Sequence, residues 1–444
     1  MVQSRGGRLV LAATGDSLIT QRLSCFTEPE FLRLREILQS ADVRFTNMEM
    51  LFHNFEGYPQ AQSGGTWVCA YPAIFRELQW LSFNLYAWAN NHTLDWGEGG
   101  LFATLRTLEE AGAVHAGVGR NLAEARRPAY LETNAGRVAL VAMCSTFNEF
   151  NRAGDSRPDV QGRPGLNPLR FETTTYVTAE QMSVLRQLDE ELELGARDRL
   201  RVRLGFRQPD PEGTLTFLER RFVVGEKPAV VTTPHKGDLE GNLRAVREAR
   251  RQADWVLVSI HSHEMRGGDL ERPAEFLETA ARAFIDAGAH AVIGHGPHVL
   301  QGIEIYKGAP IFYSLGNFIF QNDTVRHQPA DFYERLGLGP EATVADLFDA
   351  RSQNDTRGFP SERHYWETVV PVCTWEDGVL TRLELYPVEL GFQKPRPSRG
   401  RPYLAGPERA EAIIRHLAAL SEPYGTTIRW DPKGVGVVEL AGTE

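Results

Sequence analysis

The chain has 444 residues, an ordinary share of charged and apolar side chains, and a formal net charge of −10. That length exceeds one small core and fits either a single large domain with an insertion or two domains. The acidic balance excludes a general nucleic-acid binder, which needs a basic face, but not an anionic substrate held at a local metal centre.

The first eight residues lead into an apolar run over 9–14 that is too short for a signal core, and no stretch is long enough to span a membrane. A cytoplasmic protein is therefore expected. Residues 9–13 read as a buried strand that stops at Thr14-Gly15-Asp16. A carboxylate just past a strand end is either a ligand or a turn or cap residue. A helix over 29–38 and a strand over 43–45 follow, the strand ending in Thr46-Asn47-Met48-Glu49. After a helix over 72–81, a third strand over 83–88 ends in Ala89-Asn90-Asn91-His92-Thr93-Leu94-Asp95-Trp96-Gly97, ahead of a helix over 100–111. Asn91 could offer an amide oxygen, His92 could move a proton, and Asp95 could orient His92. The alternative is an Asx-turn in which Asn91 caps the next helix. A short strand over 114–117, a helical turn over 121–127 and a hairpin over 128–142 complete a layered α/β pattern.

Residues 147–239 loosen into Gly, Pro and charge, with a helical pattern over 178–195, and a further helix covers 239–252. This segment reads as an insertion that folds over the core as a lid. Arg163, Arg170 and His235 are its candidate substrate contacts, against the commoner fate of a solvated face. A fourth strand over 255–260 ends in His261-Ser262-His263-Glu264. The two histidines are expected on opposite faces of a continuing strand, with His261, the first residue past it, reaching the centre. A helix over 273–287 and a fifth strand over 289–293 lead to Gly294-His295-Gly296-Pro297-His298. This is either a turn with two exposed histidines or a pair of imidazoles presented at the carboxyl edge of a sheet. A hairpin over 299–314 ends in Leu315-Gly316-Asn317-Phe318, residues 322–363 are irregular with one helix near Val344, and a hairpin turns at Asp377-Gly378. A helix over 405–420 and two short strands close the chain. The four cysteines show no CxxC spacing, which suggests free thiols in a reducing compartment.

Asp16, Glu49, Asn91, His92, His261, His295 and His298 all follow strands. A set of oxygen and imidazole donors without thiolates suits Mn²⁺, Fe or Zn²⁺. It is large enough for one or two ions, and two ions about 3.5–4 Å apart can share a carboxylate and activate a water.

Five stretches resemble the capsule and poly-γ-glutamate synthesis (CapA-like) branch of the calcineurin-like metallophosphoesterase superfamily. They are Gly15-Asp16, Asn47-Met48-Glu49, Asn90-Asn91-His92-Thr93-Leu94-Asp95-Trp96-Gly97, Gly294-His295-Gly296-Pro297-His298-Val299-Leu300-Gln301 and Tyr313-Ser314-Leu315-Gly316-Asn317-Phe318-Ile319-Phe320. The resemblance spans roughly residues 8–145 and 250–320. It implies a four-layer α/β/β/α sandwich with a dinuclear centre between two sheets. The core would comprise residues 1–146 and 240–390, interrupted by the insertion over 147–239 and followed by a C-terminal extension over 391–444. Asp16, Glu49 and His298 would hold one ion. Glu49 would bridge to a second, held by Asn91, His261 and His295. His92 would be the general acid or steady transition-state charge, with Asp95 behind it. Asn90, His263, Glu264 and Asn317 would contact substrate or support the ligands. The chain departs from the wider superfamily at Leu18, where a histidine is usual. It also departs at His261-Ser262-His263-Glu264, where many relatives have His-Trp-Gly with a nearby Glu.

The activity expected from this set is a metal-dependent hydrolase. Metal-bound hydroxide would attack a phosphoester, or in second place an amide or peptide bond, of a small molecule or anionic polymer, and His92 would protonate the leaving group. Two rivals use the same residues differently: a metal-dependent lyase or dehydratase, and a non-catalytic accessory of capsule or poly-γ-glutamate assembly.

Overall fold

Strands that are apolar on both faces must be covered on both sides, and this chain meets that demand with two stacked sheets. The computed structural model describes residues 7–440; the sequence reading of residues 1–6 lies outside them. In the larger, ten-stranded sheet, Arg8–Leu18, Val43–Met48, Leu85–Ala87 and His115–Ala116 run parallel, and Asn317–Phe320 pairs parallel with the first of them. The hairpin Glu367–Glu376 and Val379–Glu389 extends this sheet antiparallel, followed by Val435–Val438 and Ile428–Asp431. In the six-stranded sheet, Gly136–Cys144, Trp255–His261, Ala291–His295 and Ala309–Phe312 are parallel, with Ala129–Thr133 and Ile303–Tyr306 as antiparallel edges.

Period-two alternation sorts side chains into layers. In the first strand Leu9, Leu11 and Ala13 point between the sheets, while Val10 and Ala12 point to the helices outside. In Trp255–His261, Trp255 and Leu257 point inward and Val256, Val258 and Ile260 outward. Helices Pro29–Gln39, Pro72–Trp80 and Gly97–Glu110 cover the larger sheet, and Lys236–Gln252 and Glu275–Asp286 cover the smaller. Glu275–Asp286 is fixed by Phe276, Leu277, Ala280, Ala281, Phe284 and Ile285, an apolar stripe at helical spacing. The result is the expected α/β/β/α order. Helix Pro407–Ser421 adds Ile413, Ile414 and Leu417 to the core between the sheets. No helix among the described residues is long and apolar enough to cross a membrane.

Between the two halves of the smaller sheet the chain builds a separate four-stranded sheet from Phe171–Val177, Thr214–Phe217, Arg220–Val224 and Ala229–Pro234. The sequence reading foresaw no strands here and one helix over 178–195. The structure has two helices, Ala179–Glu191 and Ala196–Arg203. These strands are largely solvent-facing, so they carry no strong hydrophobic pattern. The subdomain docks through Phe171, stacked on Phe276 at 4.4 Å, and through Thr232, whose hydroxyl donates to Glu275 at 2.9 Å. Residues 148–170 lie against the core instead: Gly165–Leu166 pairs with Val118–Gly119, and the Asn167 amide donates to the Ala142 carbonyl at 2.8 Å.

Three boundaries differ from the sequence reading. The first strand continues to Leu18 because Asn317–Phe320, a partner three hundred residues away, pairs with its distal half. His261 and His295 are not past their strands but are the last residues of them, and they are register partners. The segment after Phe320 holds two helices, Ala330–Arg335 and Val344–Ser352, rather than one.

Candidate metal centre

The site forms where the inward faces of both sheets change from apolar to polar. Val43 and Phe45 are followed inward by Asn47, Trp255 and Leu257 by Ser259 and His261, and Ala291 and Ile293 by His295. The same two-residue period that fills the core therefore delivers the donors at its end. Asp16 reaches this level through a bulge after Ala13. Gly15 permits it, since a Cβ there would lie 1.9 Å from the Gly316 carbonyl oxygen. His298 sits just after Gly296 with φ +64, a left-handed conformation uncommon outside glycine and frequent where function holds strain.

Asp16, Glu49 and His261 are fully buried, and Asn90, Asn91, His92, Asp95, His295 and His298 are buried with them. Asp16 Oδ1 lies 3.3 Å from His295 Nδ1 and 3.6 Å from His261 Nδ1, and its Oδ2 lies 3.4 Å from His298 Nδ1. It also accepts from Asn47 Nδ2 at 2.8 Å and from the Gly296 N–H at 3.0 Å. Glu49 faces His261 Nε2 at 3.6 Å, His298 Nδ1 at 3.7 Å and His92 Nε2 at 4.0 Å. His261 stands between these groups. Its Nδ1 is 2.9 Å from His295 Nδ1, and its Nε2 is 2.9 Å from Asn91 Oδ1 and 3.1 Å from His263 Nε2.

Electrostatics separates the two acids. Burial would raise the Asp16 carboxyl, but hydrogen bonds to His261, His295 and His298 outweigh it and hold the group well below its ordinary range. Burial pushes Glu49 well above that range, and the charges of Asp16 and Asp95 add to it. Burial brings His261 down to about 4 against the pull of Asp16. It also lowers His263, with His261 and His298 contributing. Neutral imidazoles are the ligand form.

This donor set fits divalent cations. Both Glu49 carboxylate oxygens are buried without a hydrogen-bond partner, an unfavourable state that a cation relieves. Donor atoms within 4.8 Å of one another form two triads, Asp16/His261/His295 and Glu49/His263/His298. Oxygen and imidazole donors of this kind suit Mn²⁺, Fe or Zn²⁺.

Around the triads the remaining residues orient the ligands. His92 Nδ1 lies 2.7 Å from Asp95 Oδ2, which also accepts the Val68 N–H at 2.9 Å. His92 thus turns Nε2 toward Glu49. Burial raises the Asp95 carboxyl against the opposing pull of His92. His298 Nδ1 is 2.8 Å from Asn317 Oδ1, whose amide donates to the Tyr365 carbonyl at 2.9 Å. The Ser259 hydroxyl is 2.7 Å from His295 Nε2. Asn90 donates to the Met48 carbonyl at 2.9 Å. Glu264 accepts from Ser145, Thr146 and Ser262 at 2.5, 2.8 and 2.8 Å. It fixes the turn that presents His263 rather than joining the triads.

Some sequence expectations are corrected here, and some alternatives are decided. The strand ends at His261 and the chain turns after it, which brings His263 Nε2 within 3.1 Å of His261 Nε2, so both imidazoles reach the centre. Asn91 does not cap a helix: the helix Gly97–Glu110 begins at Trp96 without a side-chain cap, and the Asn91 amide faces His261. In line with the departure noted at that position, Leu18 lies in the core against the helices and brings no donor. Arg170 pairs with Asp238 at 2.7 Å, His235 caps the helix Lys236–Gln252, and Arg163 donates to the Arg152 carbonyl at 2.9 Å, so all three serve local structure. Asn47 and Ser259 were missed as ligand supports. Ser259 had a signal, as the lone polar residue inside an apolar strand.

The family model described as bacterial capsule synthesis protein PGA_cap matches residues 10–322. The chain is 38% identical over 443 residues to the uncharacterized protein y4sH of Sinorhizobium fredii, covering 97% of this chain and 93% of that protein. It is 25% identical to the capsule biosynthesis protein CapA of Bacillus anthracis over 68% of this chain and 56% of that protein. It is also 26% identical to a probable polyglutamine synthesis accessory protein of Mycobacterium tuberculosis, over 59% of this chain and 48% of that protein.

Proposed function

The chain belongs to the bacterial capsule synthesis protein PGA_cap family, and from that premise we propose that it is a metal-dependent hydrolase of a phosphoester or, in second place, of an amide or peptide bond. The observation that carries this reading is Glu49: a buried carboxylate with no hydrogen-bond partner, set among imidazoles and beside an oriented His92–Asp95 pair. Asp16, Glu49, Asn91, His261, His263, His295 and His298 would hold one or two divalent ions. Bound there, the ions would supply Lewis acidity and lower the pKa of a water. The rest of the work falls to the chain. Asp95 fixes the His92 tautomer, and His92 Nε2 delivers a proton to the leaving group. Asn317 and Ser259 hold the His298 and His295 rings in place. Strands from two sheets fix these groups, so little reorganisation is needed when charge develops.

A neighbouring cavity of about 320 Å³ is lined by Phe320, Arg351, Phe359 and Trp366 and also by Asp323 and Asp355; both carboxylates pair with Arg399, which leaves Arg351 as the cation open to an anionic group. Phe359 joins it to the centre, its ring 5.6 Å from His298. Arg351 donates to Thr66 and lies over the rings of Phe332 and Phe359. No carboxylate stands within ion-pair distance, 4.0 Å, of its guanidinium among the described residues. Such a cation suits a phosphate or carboxylate. Poly-γ-glutamate, the polymer the sequence resemblance points to, would present one carboxylate per residue. The four free cysteines support a cytoplasmic setting.

The reading is tested by incubating the Mn²⁺-loaded chain with mono- and diester phosphates and with poly-γ-glutamate, beside His92→Ala. Turnover that falls on the order of 10²-fold or more in the variant supports it. Equal turnover in both proteins overturns it. The accessory reading is favoured by the name of the mycobacterial relative, and it expects polymer binding without turnover.

A further inference from the structure

A second group of metal-type donors lies outside the centre, where three distant segments meet. Glu271 is on the strand Asp269–Pro273, His364 on the short helix Arg363–Trp366, and His416 on the helix Pro407–Ser421. One carboxylate oxygen serves both rings: Glu271 Oε1 is 2.8 Å from His416 Nε2 and 3.6 Å from His364 Nδ1. The two imidazoles face each other with centroids 5.7 Å apart. One donor atom from each residue falls within 4.8 Å of the others.

The surroundings limit what the carboxylate can bind. No Lys or Arg pairs with Glu271 among the described residues; its partners are the two imidazoles. Glu367, on the same wall, is held by Arg409 at 2.6 Å and Arg363 at 3.5 Å, so it does not compete. Leu300 and Ile413 close the floor, and the cavity has about 10 Å³ of room, the size of one water or one small ion. The Glu271 side chain is 28% exposed, which leaves an open side for water. One carboxylate and two imidazoles with an open position make a donor set for late first-row divalent ions. An ordinary Glu–His hydrogen bond needs only His416 and leaves His364 unexplained.

We propose that Glu271, His364 and His416 form a second divalent-cation site, of Zn²⁺ or Co²⁺ type, separate from the buried centre. Its placement gives it a consequence. His364 precedes Tyr365, whose carbonyl holds Asn317, and Asn317 holds His298. A cation here ties the C-terminal helix to the segment that supports one ligand of the buried centre.

The test is a Zn²⁺ titration of the EDTA-treated full-length chain by calorimetry, with Glu271→Gln and His364→Gln/His416→Gln beside the wild type. Glu271→Gln keeps the side-chain volume and guards against misfolding of the double variant. The ligands of the buried centre are unchanged in all three proteins, and repeating the titrations in a His261→Ala background separates its uptake from that of the outer site. The expected result is one equivalent fewer in both variants, or at least a tenfold weaker last equivalent. Co²⁺ should give a visible band in the wild type that diminishes in the variants. Identical stoichiometry and affinity in all three folded proteins overturn the proposal and leave an ordinary Glu–His pair.

Discussion

Glu49 brings a carboxylate to the floor of the cluster with neither oxygen hydrogen-bonded and with its ionised form disfavoured by burial and by Asp16 and Asp95. A structural acid would not be left this way, because an unsatisfied buried charge costs several kcal/mol. Glu49→Gln should therefore weaken divalent-metal affinity on the order of 100-fold or more, yet raise the unfolding temperature in EDTA, where the unpaired carboxylate is a liability. Loss of stability without metal would contradict the ligand role. Asp95→Asn should leave metal content unchanged and lower kcat by roughly 10²–10⁴, since the amide no longer fixes the His92 tautomer; single-turnover rates on a phosphoester check this. Away from the centre, His290 accepts the Val256 N–H at 3.0 Å and packs on Trp255, and burial lowers it from the ordinary value to about 4. The folded state then binds fewer protons than the unfolded between about pH 6.5 and 4. Its contribution is complete above pH 6.5 and is lost as pH falls through that window, by up to roughly 3 kcal/mol. His290→Gln should flatten this part of a urea-midpoint profile, and an unchanged slope would show that the group does not titrate there.

The strand ends were legible because their residue types depart from the apolar pattern that precedes them. Asn91, His92, His295 and His298 stood out for that reason. What was not legible is pairing at long range. Nothing within residues 9–18 shows that Asn317–Phe320 will extend the first strand, or that Gly15 will press against Gly316. Gly15→Ala tests this contact: the added Cβ must separate the two backbones, so the variant should melt lower and lose metal through displacement of Asp16 and Asn317. Unchanged metal content would show that the junction does not position the ligands. His263 was undervalued for a simpler reason. The strand stops at His261 rather than continuing, and the turn held by Glu264 brings the His263 Nε2 to 3.1 Å from that of His261.

Across the whole molecule, apolar strands alternating with amphipathic helices pointed to a layered α/β core, and the α/β/β/α order came from the resemblance. The insertion was visible only as a loss of pattern, because its strands are short and mostly exposed. Its four-stranded sheet enters and leaves through paired strands, with Thr175 opposite Val230. Replacing residues 176–229 by a short glycine turn should leave the two-sheet core folded with its metal content intact, while activity on a large substrate falls if the insertion acts as a lid. A core that no longer folds would show the insertion to be part of it. The hydrolase reading rests on the cluster between the sheets being a metal centre. The most direct measurement is elemental analysis of the Mn²⁺- or Zn²⁺-loaded chain in a Glu271→Gln background, which removes the outer site, with and without His261→Ala, whose ring faces both triads. One or two equivalents per chain, lost with His261, is the predicted result. A folded protein that retains no ion after loading would contradict it.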